Sequence, residues 1–262
     1  MKHTRVWWLV PAAVIIAAAA IAPLFVDTSS GQGDIPYSEP SAQAWLGTDH
    51  LGRSILPQLL TGGWRIILIA STIAVLVTAL AAMAGTVAAL QPRLGAVIER
   101  ATDAAMLVPP ILAIMLVLLS WPSAGTAGLI VVAVLVGTPY SARVFAAAAN
   151  GVAASGFIDV AVASGERLPY LAVREVLPNL RDTTLTQLGL RFVEAMYLVS
   201  TAAFLALPAS LGESNWALMV RENSGGVLLN PWAVAAPALA LALVAISLSV
   251  AVEIIASRRT TP

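Results

Sequence analysis

Few residues in this chain are equipped for chemistry. Arg191 and Glu194 stand out, opposite charges three positions apart inside an otherwise apolar run. On a helix that spacing puts both side chains on one face. A charge held in hydrocarbon is costly, so such residues either pair with each other or line a path for a polar solute. Gln187, Tyr197, Ser200 and Thr201 add polar atoms to the same run. The residue types leave pairing and lining both open. Catalysis has little to draw on. The chain has no cysteine, and its histidines are His3 and His50, both outside the apolar runs. Thiol chemistry is therefore excluded, and neither a nucleophile–base pair nor a metal site finds its members there. Lys2 is the single lysine and no glycines precede it. The chain thus lacks a P-loop, whose lysine must reach the phosphates. Nucleotide-driven work would need another polypeptide.

Two further groups are shaped by their backbone signals. The first is the polar island Phe157–Asn179, FIDVAVASGERLPYLAVREVLPN. A helix over Phe157–Ser164 would line one face with Phe157, Ile158, Ala161 and Val162. Asp159 would sit in its first turn, where an acid suits the helix dipole. Gly165 can end that helix in the left-handed conformation. Glu166 and Arg167 come next, Pro169 fits the start of a new helix, and Leu177-Pro178 is expected to stop it. Such a helix either seats in a groove on a partner or lies on lipid headgroups; periodicity does not choose. The second group is Gly47–Ser54. Gly47-Thr48-Asp49 reads as a turn, with Asp49 free to cap the segment after it. Gly52-Arg53 adds a planar guanidinium suited to carbonyls or a carboxylate. A turn that braces the next helix is favoured over direct substrate contact.

The elements that must position these groups are membrane helices. The chain has 262 residues, 59% hydrophobic and 11% charged, with mean hydropathy +0.87. Soluble domains carry about 25% charged residues. Net charge is zero, which suggests no nucleic-acid partner. A helix needs about 20 apolar residues to cross the hydrocarbon. Six runs qualify or nearly so: Val6–Val26, Ile66–Leu90, Ala101–Ser120, Gly128–Ala149, Thr184–Leu207 and Ala233–Ala256. The first resembles a signal peptide, but Pro23 directly after Ala20-Ile21-Ala22 is a poor cleavage context, so it is read as an anchor. Lys2, Arg5, Arg93, Arg100, Arg143, Arg167, Arg174, Arg181, Arg258 and Arg259 fall on one side, against Arg53, Arg65 and Arg221 on the other. The positive-inside rule then puts both termini and Phe157–Asn179 in the cytoplasm. The chain divides into residues 1–65 (anchor and external loop), a core over 66–256 that contains the loop 150–180, and a tail over 257–262. The external stretch Asp27–Trp64 is long for a connector, so it is functional or partly disordered. Trp216 and Trp232 read as interfacial anchors, and Ala81, Ala84 and Gly85 as helix-packing positions.

The order of these residues resembles the inner-membrane permease subunits of ABC importers. That family carries a cytoplasmic EAA loop, matched here by Asp159-Val160-Ala161, then Gly165, then Val176-Leu177-Pro178. Asp replaces the usual Glu, and Val an alanine-type position. Trp45–Ser54, WLGTDHLGRS, is similar to the WLGTDxLGRD signature of the dipeptide, oligopeptide and nickel permeases, with Ser54 for Asp. Pro109–Leu112, Asn215–Met219 and Asn230-Pro231-Trp232 extend the match. The resemblance runs from about Trp45 to Ala256. It implies an all-α membrane protein with six transmembrane helices in the type I ABC importer permease fold, in the bacterial inner membrane. It implies that Asp159, Ala161, Gly165, Glu166, Arg167, Leu177 and Pro178 couple to an ATPase through a coupling helix. Gln187, Arg191, Glu194 and Tyr197 are the implied path candidates, and Gly47, Thr48, Asp49, Gly52 and Arg53 the external signature. The implied partners are a homologous second permease, two ATP-binding subunits that hold ATP and Mg, and an extracytoplasmic binding protein; the chain itself needs no cofactor and is not an enzyme. The expected substrate is a short peptide, with nickel or a metal chelate as the alternative. An ion-coupled secondary transporter centred on Glu194 is the rival of another class.

Overall fold

The computed structural model describes residues 35–207, 211 and 215–257, the backbone alone over 252–257. The anticipated first span, Lys2, Arg5, Arg258 and Arg259 lie outside the described residues. Among those described, the chain is all-α with one isolated bridge, Thr48 to Ser54. The helices are α1 (Ile55–Thr61), α2 (Trp64–Leu90), α3 (Pro92–Met106), α4 (Pro110–Ser120), α5 (Gly125–Ala153), α6 (Gly156–Ala163), α7 (Arg181–Phe204), α8 (Trp216–Asn223) and α9 (Trp232–Ser257). Ile55–Leu90, Pro122–Ala153 and Trp232–Ala251 are long and apolar enough to cross a membrane, and α3 with α4 makes a fourth candidate if the bent pair counts as one span. The 24 residues of α7 reach about 36 Å at 1.5 Å per residue, but Gln187, Arg191 and Glu194 make it less apolar.

The third expected span is not one helix. The chain bends by 77° between α3 and α4. The cause is Pro109-Pro110: neither proline has an N–H to continue a helix, and Pro110 pushes Pro109 to extended backbone, φ −61° and ψ 125°.

Two apolar clusters hold the bundle. The larger joins α2, α4, α5, α7, α8 and α9 around Ile66, Ile114, Leu129, Phe192, Val199 and Val244. The smaller lies at one end, where Ala81, Phe145 and Ala149 meet Ile158, Val176 and Leu180. Helices α2 and α5 approach closely there. A Cβ on Gly85 would lie 2.6 Å from the Ala142 carbonyl oxygen and 2.6 Å from the Phe145 Cβ. The small residues of α2 thus serve packing, as the sequence predicts.

The stop at Leu177-Pro178 is also corrected. From Leu168 to Phe204 the backbone stays helical: a turn at Leu168–Tyr170, a π-helical stretch Leu171–Val176, a 3-10 stretch Leu177–Leu180, then α7. Pro178 cannot donate to the Arg174 carbonyl and would clash with it in a regular α-helix. Widening before the proline and tightening around it let the helical course continue.

Candidate functional site

The chain carries three polar constellations on this scaffold. The first is α6 and its sequel. Gly165 sits at φ +84°, the Gly165 N–H donates to the Val162 carbonyl at 3.0 Å, and the Glu166 N–H donates to the Ala161 carbonyl at 3.2 Å. That pair of bonds is a Schellman cap. A Cβ at Gly165 would meet nothing within 4 Å, so its backbone conformation, not space, asks for glycine. Asp159 lies exposed in the first turn. The predicted apolar face divides: Ile158 is buried in the smaller cluster and Ala161 half-buried, while Phe157, Val160 and Val162 are exposed. One isoleucine therefore seats the helix in the smaller cluster, against the π-helical stretch Leu171–Val176, and Phe157 and Val160 share an outward face. Glu166, Arg167 and Pro178 are exposed, and Leu177 is half-buried against the same cluster.

The second constellation is inside the bundle. Arg191 forms an ion pair with Glu194, its side chain 11% exposed and that of Glu194 35%. The Arg191 guanidinium also lies over the Tyr140 ring of α5, 5.4 Å from its centroid, a distance suited to a cation–π contact. Arg191 Nε and Gln187 Oε1 are buried without a hydrogen-bond partner. Tyr197 follows Glu194 by one turn of α7. With Ser200, Thr201 and Phe204 of α7, Ala217 and Val220 of α8, and Ala238 and Leu241 of α9 it lines an open groove of about 320 Å³. The structure thus brings Arg191 and Glu194 together, sets Gln187 one turn to one side, and puts Tyr197 one turn beyond Glu194 at the groove. Sequence reasoning missed Tyr140. Its partner is 51 positions downstream on another helix, so nothing local signals it.

The third is a clasp at the end opposite α6. Gly47 and Gly52 have φ +74° and +75°. A Cβ on Gly47 would fall 2.2 Å from the Ser38 carbonyl oxygen and 2.5 Å from Asn230 Nδ2. Thr48 and Asp49 are both buried. The Thr48 hydroxyl donates to the Ile35 carbonyl at 2.7 Å and accepts from the Ser38 N–H at 2.8 Å. Asp49 Oδ1 accepts from the N–H groups of Leu51 and Arg53; Oδ2 accepts from Arg53 Nε at 2.8 Å and Gln58 Nε2 at 2.9 Å. Burial disfavours the Asp49 charge, but the bonds from Gln58, from the Arg53 and Leu51 backbones and from the Arg53 side chain outweigh it. They hold the carboxyl below its usual range. Asn230, fully buried, donates to the carbonyls of Ser38, Leu46 and Thr48. Asn223 accepts from the His50 N–H at 2.9 Å. The expected turn is therefore a closed knot that ties residues 35–54 to the loop before α9. This stretch of Asp27–Trp64 is ordered by its own hydrogen bonds. Trp216 is no interfacial anchor: it is buried, and its indole N–H donates to the Leu59 carbonyl at 2.6 Å. Trp232 is 45% exposed.

Comparison with known proteins agrees with this helical arrangement. The profile of the family described as binding-protein-dependent transport system inner membrane component matches residues 78–261. The chain is 30% identical over 198 residues to a Brucella abortus protein named as a peptide permease; the alignment covers 74% of this chain and 65% of the relative. The chain thus spans 65% of that relative's length. A Brucella suis protein named as a peptide transport system permease is 25% identical over 230 residues, 87% of this chain and 77% of the relative. A Sinorhizobium fredii protein named as a peptide ABC transporter permease is 25% identical over 202 residues, 77% and 69% of the two chains. With its apolar helices bundled around α2, α5 and α7, and with the profile covering all the core helices from mid-α2 onward, the chain belongs to the binding-protein-dependent transport system inner membrane components, a family of multi-pass membrane permeases.

Proposed function

We propose that this chain is one of two permease subunits of an ATP-driven importer of short peptides. The observation that carries the reading is α6: a short capped helix, seated by Ile158 in the smaller cluster against the π-helical stretch Leu171–Val176 that leads into α7, with Phe157, Val160 and Asp159 turned outward. A helix so placed can pass a push from a soluble motor into the Leu171–Val176 stretch and the α7 helix continuous with it. The excess of arginine at this end supports a cytoplasmic position with both termini inside. On this reading Ala161, Gly165, Glu166, Arg167, Leu177 and Pro178 shape the coupling element. Two ATPase subunits holding ATP and Mg dock below, one of them on α6, the homologous permease completes the path, and an extracytoplasmic binding protein delivers substrate above the clasp. Residues 1–65 serve as anchor and external loop, 66–256 as transport core. The peptide assignment follows the names of the relatives.

Coupling is tested by Gly165→Pro and Asp159→Arg in the complex reconstituted in proteoliposomes. Proline cannot adopt φ +84° and removes the N–H that donates to Val162. Both variants should insert and assemble yet lose uptake by about ten-fold or more, the effect of about 1.4 kcal/mol or more on coupling. Normal uptake in both would sink the coupling reading.

A further inference from the structure

The elbow helix α3 is not used by the transport reading, and its surface is unusual. Only Thr102 of its 15 residues is buried. At 3.6 residues per turn its side chains sort into three bands. Leu94, Val97, Ala101 and Ala104 share an exposed apolar stripe. Ile98 and Thr102, on one flank, pack against α2 and α5, where the Thr102 hydroxyl also donates to the Pro139 carbonyl at 3.3 Å. Arg93 and Arg100 lie on the other flank, and Glu99 and Asp103 fall opposite the stripe. Asp103 is held in an ion pair with Arg143 of α5.

From this banding and the 77° bend we propose that α3 lies along the membrane surface at the α6 end, its apolar stripe sunk at the headgroup boundary of an anionic leaflet. The 77° bend sets α3 on a different axis from α4. Its 15 residues give about 22 Å of surface contact at 1.5 Å per residue. With the stripe facing lipid, Arg93 and Arg100 sit level with the phosphates, where long basic side chains snorkel, while Glu99 faces water and Asp103 faces its Arg143 partner. That partition is the one an interfacial helix needs on a negatively charged surface. The elbow beyond it continues the apolar surface, Leu107 being 83% exposed, so α3 slants inward towards α4. The inference rests on the membrane location and not on the peptide or coupling readings.

The cysteine-free sequence permits a direct test. Val97→Cys, Leu107→Cys and Glu99→Cys would each be spin-labelled on the full-length chain. Each would be reconstituted in phosphatidylcholine vesicles with and without phosphatidylglycerol, alone and with the subunits that copurify. Labels at 97 and 107 should collide with dissolved oxygen and be shielded from a water-soluble nickel chelate, more strongly at 107. The label at 99 should behave in the opposite way. Adding Arg93→Gln and Arg100→Gln should abolish any deepening of the 97 label by phosphatidylglycerol. Chelate access at 97 would place the stripe in water and overturn the proposal. Shielding from both reagents, in the chain alone or only with its partners, would mean that protein covers it and would overturn it equally. Identical depth in both lipid mixtures would overturn the anionic assignment.

Discussion

Arg191 and Glu194 show how much a single residue pair carries here. The pair neutralises itself, and the Tyr140 ring adds a second partner for the cation. Removing one member leaves the other uncompensated. Arg191→Met should therefore lower the yield of folded chain, although by less than the about 3–5 kcal/mol of a fully buried pair, because Glu194 is a third exposed. The double variant Arg191→Met with Glu194→Met should recover the yield, read by size-exclusion chromatography in detergent. If the pair lines the path, the double variant still transports poorly; full transport would reduce the pair to packing. Asp49 belongs at the same scale. Its carboxyl pKa is held down in the folded clasp, so the sign is that of a depressed acid. The stabilisation is present above the unfolded value, about 3.9, and is lost as pH falls through the folded value. Amide protection at Leu51 and Arg53, corrected for intrinsic exchange, should therefore hold at neutral pH and fall only in acid below about pH 4. In Asp49→Asn the protection should be weak at every pH. An unchanged profile in that variant would show that the carboxylate does not close the knot.

Elements were legible to the extent that their signals are local. Long apolar runs gave α2, α5, α7 and α9 within a few residues, and Gly165 marked the end of α6 because a left-handed cap asks for glycine. The break at Pro109-Pro110 and the passage through Pro178 were misjudged for one reason: proline removes a bond, but the neighbouring helices decide whether the chain bends or continues. At Pro109-Pro110 nothing carries the helix onward. At Pro178 the buried Leu171, Ala172, Val176 and Leu180 hold the course. The clasp was half legible. Glycines and Asp49 announced a turn, but Asn223 and Asn230 reach it from more than 170 positions away. Helix packing can be tested at Gly85. Its missing Cβ lets α2 approach the α5 backbone, so Gly85→Leu should force the helices apart and cost about 1–3 kcal/mol as an overpacked site. Thermal unfolding in detergent should shift downward by several degrees, while Gly151→Leu, where a Cβ meets nothing within 4 Å, should leave it unchanged. Equal effects would argue against close α2–α5 packing as the cause.

The whole molecule is incomplete as a single chain in lipid. Helix α7 carries Glu194 with a third of its side chain exposed, then Tyr197 at 64%, beside a groove shared with α8 and α9. A partly bare carboxylate facing hydrocarbon is costly, whereas one facing a polar path or another protein is not. This side of the bundle is thus the one that a second permease should cover, and the path should run where α7 meets it. The opposite demand holds for Leu112, Leu116 and Leu119 of α4 and for Leu135 of α5, whose exposed apolar side chains lipid can satisfy. A photoreactive benzoylphenylalanine at position 197, irradiated in native membranes, should capture a polypeptide of similar size that mass spectrometry identifies as a homologous permease. The same probe at Leu116 should capture lipid. Copies of this chain alone at 197, with no second permease and no P-loop ATPase in the purified complex, would remove the importer arrangement and turn attention to ion coupling through Glu194. Capture of the second permease at 116 instead of 197 would keep the importer and move its interface to α4, which would leave Glu194 to a water-filled path within this chain.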